Sequence, residues 1–207
     1  MTHAYRKAGQ TTATKTPLGA TILDNNGLPL GTAGGLPVWG RGGFRTPTAS
    51  FNRPADTIPY AAGDLIANSV SAAAVAPLAF ANAVRAPGEA IRIEGLRLRK
   101  SSPSLANAVF RVMLLRSVPV FSVGDNGALL VGSVLAMDDT EHRVGSFDVT
   151  MDRAAAAGAM GDSLVGVRPI TVTPVAGTTL YAVVQALAAY TPASAEMFRV
   201  TLEGAVS

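Results

Sequence analysis

Residues 89–100 read EAIRIEGLRLRK, and no other stretch constrains the fold as tightly. Ile91 and Ile93 share one side of an extended chain, with Arg92 and Glu94 on the other. Beyond Gly95 the apolar positions become Leu96 and Leu98, and Arg97 and Arg99 take the opposite side. A period of two identifies a strand with one buried face and one wet face. The apolar phase, however, changes from odd to even across Gly95. A one-residue slip turns a strand inside out unless an extra residue is absorbed at that point. A β-bulge at Gly95 absorbs it, and then Ile91, Ile93, Leu96 and Leu98 all point into the core.

The rest of the chain from Thr46 onward has the same character. TASFNR is a short alternating run, and TIPYAAGDLIANS reads as strand, turn at Ala62-Gly63-Asp64, strand. NAVFRVMLLRS, at 107–117, reads as a strand that forms a hairpin with 89–100 through SSPSLA, although its Met and Leu leave a helix open. Asp125-Asn126-Gly127 signals a further turn. HRVGSFDVTM, VGVRPITVTPV, TTLYAVVQALAAYT and EMFRVTLEGAV supply more strands, the last with Phe198, Val200 and Leu202 on one face. RAAAAGAM, at 153–160, suggests no more than a helical turn. About eight strands with short turns and no long helix predict an all-β fold, an antiparallel β-sandwich of the eight-stranded jelly-roll type.

Residues 1–46 differ in kind and read as an extended arm ahead of a sandwich domain at 47–207. The segment is rich in Gly, Pro, Thr and Asn and keeps no period. It nevertheless carries Leu28, Leu30, Val38, Phe44 and the only tryptophan, Trp39. Apolar anchors on a chain without its own core suit a segment that orders by lying on another surface, whether its own domain or a partner. Charge follows the same division. The first 53 residues hold Arg6, Lys7, Lys15, Arg41, Arg45 and Arg53 against Asp24 alone, whereas the remainder is slightly acidic. Arg41 and Arg45 are placed to meet carboxylates. Without dense Lys/Arg runs, WGRGGFR argues against nucleic acid as a partner and for a protein surface. Only 15% of the chain is charged, which suits an exterior largely covered by partners or by copies of itself.

Chemistry is sparse. With no Cys there is no disulfide, thiolate metal site or thiol nucleophile, and folding in a reducing compartment is expected. Gly161-Asp162-Ser163-Leu164 matches the signature of a large group of serine esterases. Such an enzyme needs a base for the serine, and the two histidines, His3 and His142, both precede Ser163. The tetrapeptide reads instead as a turn ahead of a strand, and the chain as no enzyme. Asp138, Asp139, Glu141 and His142 offer oxygen ligands without the spacing of a known cation loop, so no metal and no cofactor are expected. The uncharged run 65–84 contains Asn and Pro, with Ala its commonest residue, which argues against a membrane span.

Five segments carry a resemblance. Tyr60-Ala-Ala-Gly-Asp-Leu, Ile91-Arg-Ile-Glu-Gly-Leu-Arg-Leu and Val109-Phe-Arg-Val-Met-Leu-Leu come first. Thr179-Leu-Tyr-Ala-Val-Val-Gln-Ala and Tyr190-Thr-Pro-Ala-Ser-Ala-Glu-Met-Phe follow in the same order. Together they resemble a family of tailed-bacteriophage virion proteins, over residues of about 50 to 205. The resemblance implies a β-sandwich that decorates or cements the capsid, made in the bacterial host cytoplasm and carried on the virion surface. Its partners would be the major capsid protein and itself, as a small symmetric homo-oligomer. The alternative is a host-recognition or glycan-binding sandwich of a tail or fibre, which would use exposed aromatics among Trp39, Tyr60, Tyr181 and Tyr190.

Overall fold

Glu94 and Gly95 occupy the middle of a ten-residue strand, and there the register changes. The partner strand pairs Glu203 with Gly95 and then Gly204 with Ile93, so one residue of the 91–100 strand is left over. Ile91, Ile93, Leu96 and Leu98 are all buried as a result. These facts come from a computed structural model, which describes residues 43–131, 134–135, 137–138, 143–164 and 169–206.

In chain order, β1 (Phe44–Arg45), β2 (Thr48–Asn52), β3 (Leu65–Ile66) and β4 (Leu78–Phe80) come first, with a 3-10 turn at Ala72–Ala74. They are followed by β5 (Ile91–Lys100), β6 (Val109–Leu115) and β7 (Val120–Phe121). Three two-residue strands come next: β8 (Leu130–Val131), β9 (Val134–Leu135) and β10 (Met137–Asp138). The series continues with β11 (Arg143–Thr150), β12 (Arg153–Ala155) and β13 (Gly158–Leu164). It closes with β14 (Ile170–Val172), β15 (Leu180–Ala186) and β16 (Met197–Val206).

The protein is all-β, with two antiparallel main sheets. One has seven strands in the order β1-β16-β5-β13-β12, with β2 also on β16 and β14 also on β5. The other has five, β11-β6-β15-β3, with β4 also on β15. Their inner faces meet over one core that joins Ile91, Ile93, Leu96, Leu98, Phe198, Val200 and Leu202 to Phe110, Val112, Phe147, Leu180 and Val184. This is the layering of a sandwich.

The five-stranded sheet is clad on its outer face as well. Met113, Leu115 and Val183 pack there under Phe121 and Leu129 in a second apolar cluster. Burial on both faces explains why 112–115 and 180–184 are apolar without a break, and why 107–117 admits a helix on sequence alone.

Three expectations are corrected. The 91–100 and 109–115 strands do not form a hairpin. β5 pairs with β16, β13 and β14, while β6 pairs with β11 and β15 in the other sheet, so Ser101–Ala108 crosses between layers. β16 occupies one edge of β5 and β13 with β14 the other, leaving no backbone for β6. Residues 153–160 are a β-hairpin, not a helical turn, with Arg153 opposite Met160 and Ala155 opposite Gly158. Gly158 takes φ +141° there, where a side chain would meet the Lys100 carbonyl. Finally, Gly161 and Asp162 lie within β13 rather than in a turn. A Cβ on Gly161 would sit 2.2 Å from the Thr150 carbonyl, so glycine is required by the close approach of β11.

Phe44 and Arg45 belong to the body. They form an edge strand opposite Ala205 and Gly204, reinforced by a bond from Val206 N–H to the Gly43 carbonyl.

Candidate functional site

The residues singled out from sequence have diverse fates. Leu28, Leu30, Val38, Trp39 and Arg41 lie outside the described residues, as do His3, Asp139, Glu141 and His142. Phe44 is 62% exposed at the sheet edge, sharing the outer row with Arg92, while Arg45 sits opposite Gly204. Ser163 stands opposite Leu96, in the row that faces inward, and no histidine lies among the described residues. Tyr60 and Tyr190 are buried, at 1% and 0% exposure, and cannot stack on a sugar. Among the described residues no group of three or more His, Cys, Asp or Glu is placed to hold a metal, and no helix is long and apolar enough to cross a membrane.

What the two tyrosines do instead is join two buried polar clusters. Their backbones bond to each other, Tyr60 N–H to the Tyr190 carbonyl at 2.8 Å and Tyr190 N–H to the Tyr60 carbonyl at 3.2 Å. Their rings stack with centroids 6.4 Å apart. On one side Arg53 Nε donates to Tyr60 Oη at 2.8 Å, and its Nη2 donates to both Asp56 Oδ1 at 2.6 Å and Asp125 Oδ2 at 3.2 Å. Asp125 Oδ1 accepts from Tyr60 Oη and from Ala67 N–H, both at 2.7 Å. On the other side Lys100 Nζ donates to Glu196 Oε1 at 3.2 Å and to the Ser102 carbonyl at 2.8 Å, while Tyr190 Oη donates to Glu196 Oε2 at 2.7 Å. Each cluster thus has one cation, one phenol and at least one carboxylate.

Burial pushes the Asp125 carboxyl above the usual range, against the Ala67, Tyr60 and Arg53 contacts, and it pushes the Lys100 ammonium down. Both phenols are driven upward, by burial first and then by the adjacent carboxylate, so they remain hydrogen-bond donors. No buried side-chain polar atom among the described residues lacks a partner. Such a network fixes chain segments and has no unsatisfied group to offer a ligand. Sequence reading missed it because Asp125-Asn126-Gly127 is a sufficient turn signal by itself. The available cue was an Arg, a Lys and two Tyr beside strands of few charges.

The accessible chemistry lies on the outer face of the seven-stranded sheet. Strand alternation places Arg92, Arg97, Arg99, Arg153, Asp162, Arg199, Thr201 and Glu203 there. Most of these charges are paired across strands. Arg97 Nε donates to Asp162 Oδ1 at 2.9 Å and its fork also lies 3.4 Å from Glu203; Arg153 contacts the other Asp162 oxygen. Arg92 lies 3.6 Å from Glu94. Burial raises the Asp162 carboxyl, but the bonds from Arg153 and Arg97 prevail and hold it below its usual value. The Asp of the esterase-like tetrapeptide therefore serves as a cross-strand clamp. No family model matches the chain, and no curated protein matches it.

Proposed function

We propose that this chain is a structural virion protein, a jelly-roll-type sandwich that binds and stabilises the outside of a bacteriophage capsid. Residues 1–42 lie across capsid subunits, with Leu28, Leu30, Val38 and Trp39 burying apolar area and Arg41 meeting carboxylates. One observation carries this reading: the chain joins the body as a strand at the edge of the seven-stranded sheet, through Phe44 and Arg45 on β16. A segment can brace a shell only if tension on it reaches a rigid body, and β-pairing at its root supplies that coupling. Exposed Phe44 continues the apolar anchors onto the body. Contacts made to the assembled shell and absent from its dispersed subunits shift the equilibrium toward the intact particle. Val118, Val120 and Val175, each at least 50% exposed, support self-association into a small symmetric oligomer. The glycan-binding alternative is weakened by the burial of Tyr60 and Tyr190.

The test is removal of residues 1–42. The remaining body is expected to melt within a few degrees of the full chain and to lose co-sedimentation with purified source particles. Undiminished co-sedimentation would overturn the role given to the segment. Quantitative mass spectrometry of the particles adds an independent readout: a copy number near that of the main shell protein is expected, and a handful of copies would move the protein to the tail.

A further inference from the structure

One row of the outer face holds a charge arrangement that works against the fold. Arg99 on β5 and Arg199 on β16 are register partners, and both are exposed. Side chains directly opposite on antiparallel strands have Cβ atoms about 4.5–5.5 Å apart, and like charges there are destabilising. Arg92, Arg97 and Arg153 on the same face all have a carboxylate within 4 Å. Arg99 and Arg199 form no ion pair with any described residue. Ser50 and Met160 flank the two in the same row. A cleft of about 70 Å³ opens beside Arg99, lined by Ala155, Ala157, Ala159 and Met160.

We propose that Arg99 and Arg199 bind a carboxylate side chain on the surface of a protein partner. The identity of that partner as the shell rests on the function proposed above; the site itself does not. A guanidinium presents a planar fork that matches a carboxylate bidentately, and two forks on adjacent strands clamp one carboxylate from both sides. The alanine and methionine cleft receives the apolar stem of a glutamate. The same face bears Glu94, Asp162 and Glu203, which repel an extended polyanion. Nucleic acid binding draws on many phosphate contacts, and two unpaired cations among these acids supply too few. An isolated carboxylate meets the pair without approaching those acids.

The experiment uses the full chain at low salt, with NMR of the arginine Nε–Hε signals and calorimetry. The probes are a capped peptide with a single glutamate (acetyl-Gly-Glu-Gly-amide), inorganic phosphate and a single-stranded oligonucleotide. The single-glutamate peptide is expected to move the Arg99 and Arg199 signals, and an Arg99→Gln/Arg199→Gln variant to bind it at least tenfold more weakly. Arg199→Thr alone is expected to weaken binding while raising the melting temperature, a combination that a purely structural arginine would not give. Unchanged binding of the single-glutamate peptide by the double variant would sink the site. Phosphate saturating the same signals at equal concentration, or the oligonucleotide binding more tightly through the same two residues, would overturn the protein-carboxylate assignment. Should the single-glutamate peptide bind as expected while the intact protein ignores particles, the site stands and the shell reading falls.

Discussion

Lys100 and Glu196 face each other at 3.2 Å with neither side chain reaching solvent. Desolvation opposes both charges, and the pair persists because Glu196 also accepts from Tyr190, Ser102 N–H and Ala193 N–H. Removing one member leaves the other charged, buried and alone, which costs about 3–5 kcal/mol. Glu196→Ala is therefore expected to destabilise by that amount in urea denaturation, a large share of a small domain's stability. Replacing both at once, Lys100→Met with Glu196→Gln, is expected to cost clearly less than the single change. An additive result would show that the pair is not coupled.

At the scale of elements, β5 and β13 show two glycines with opposite demands. Gly95 sits at the register change, yet a Cβ there would have Glu203 Oε2 as its nearest neighbour at 3.4 Å, the movable end of a side chain. Gly161 has the Thr150 backbone carbonyl 2.2 Å from the same position. Gly95→Ala is expected to change stability by less than about 0.5 kcal/mol, and Gly161→Ala to cost about 1–3 kcal/mol or more as β11 is pushed away. Thermal melts of the two variants check this, and equal losses would contradict the packing described. The comparison also marks what is legible in the sequence. The phase change at Gly95 shows in the alternation of one strand, because bulge and burial are local to β5. The Gly161 contact cannot be read that way, since it is made by a strand of the other sheet. For the same reason 91–100 and 109–115 look like a hairpin: adjacency in sequence says nothing of which layer each strand joins. The outer arginine row was equally hidden. Each arginine appears in the alternation, but their mutual opposition depends on the β5–β16 register.

For the whole molecule, acid is the informative perturbation. Hydrogen bonds from Arg111 hold the Asp148 carboxyl below its usual range, those from Arg53 do the same for Asp56, and Asp162 is lowered as described. A carboxyl with a lowered folded value contributes stability that is fully present above its unfolded value, about 4, and lost as pH falls through the folded one. Asp125, raised by burial, acts in the opposite sense and offsets part of the loss. The melting temperature is thus expected to drop steeply below about pH 4, and Asp148→Asn to shallow that drop while lowering stability at neutral pH. Melts between pH 2 and 7 give both numbers, and an unaltered acid slope in the variant would remove Asp148 from the account.

The pairing of β16 with both β2 and β5 also bears on how the protein is made. Thr48 and Thr201 touch across the sheet, although 153 residues separate them in the chain. A ribosome adding roughly 5–20 residues per second needs on the order of ten seconds or more to pass from one to the other. Until β16 is made, β2 has no mate and β5, once synthesised, keeps at least one edge open. Every unfinished copy on a polysome therefore exposes the same vacant slot, which the β16 of a neighbouring copy could fill as well as its own.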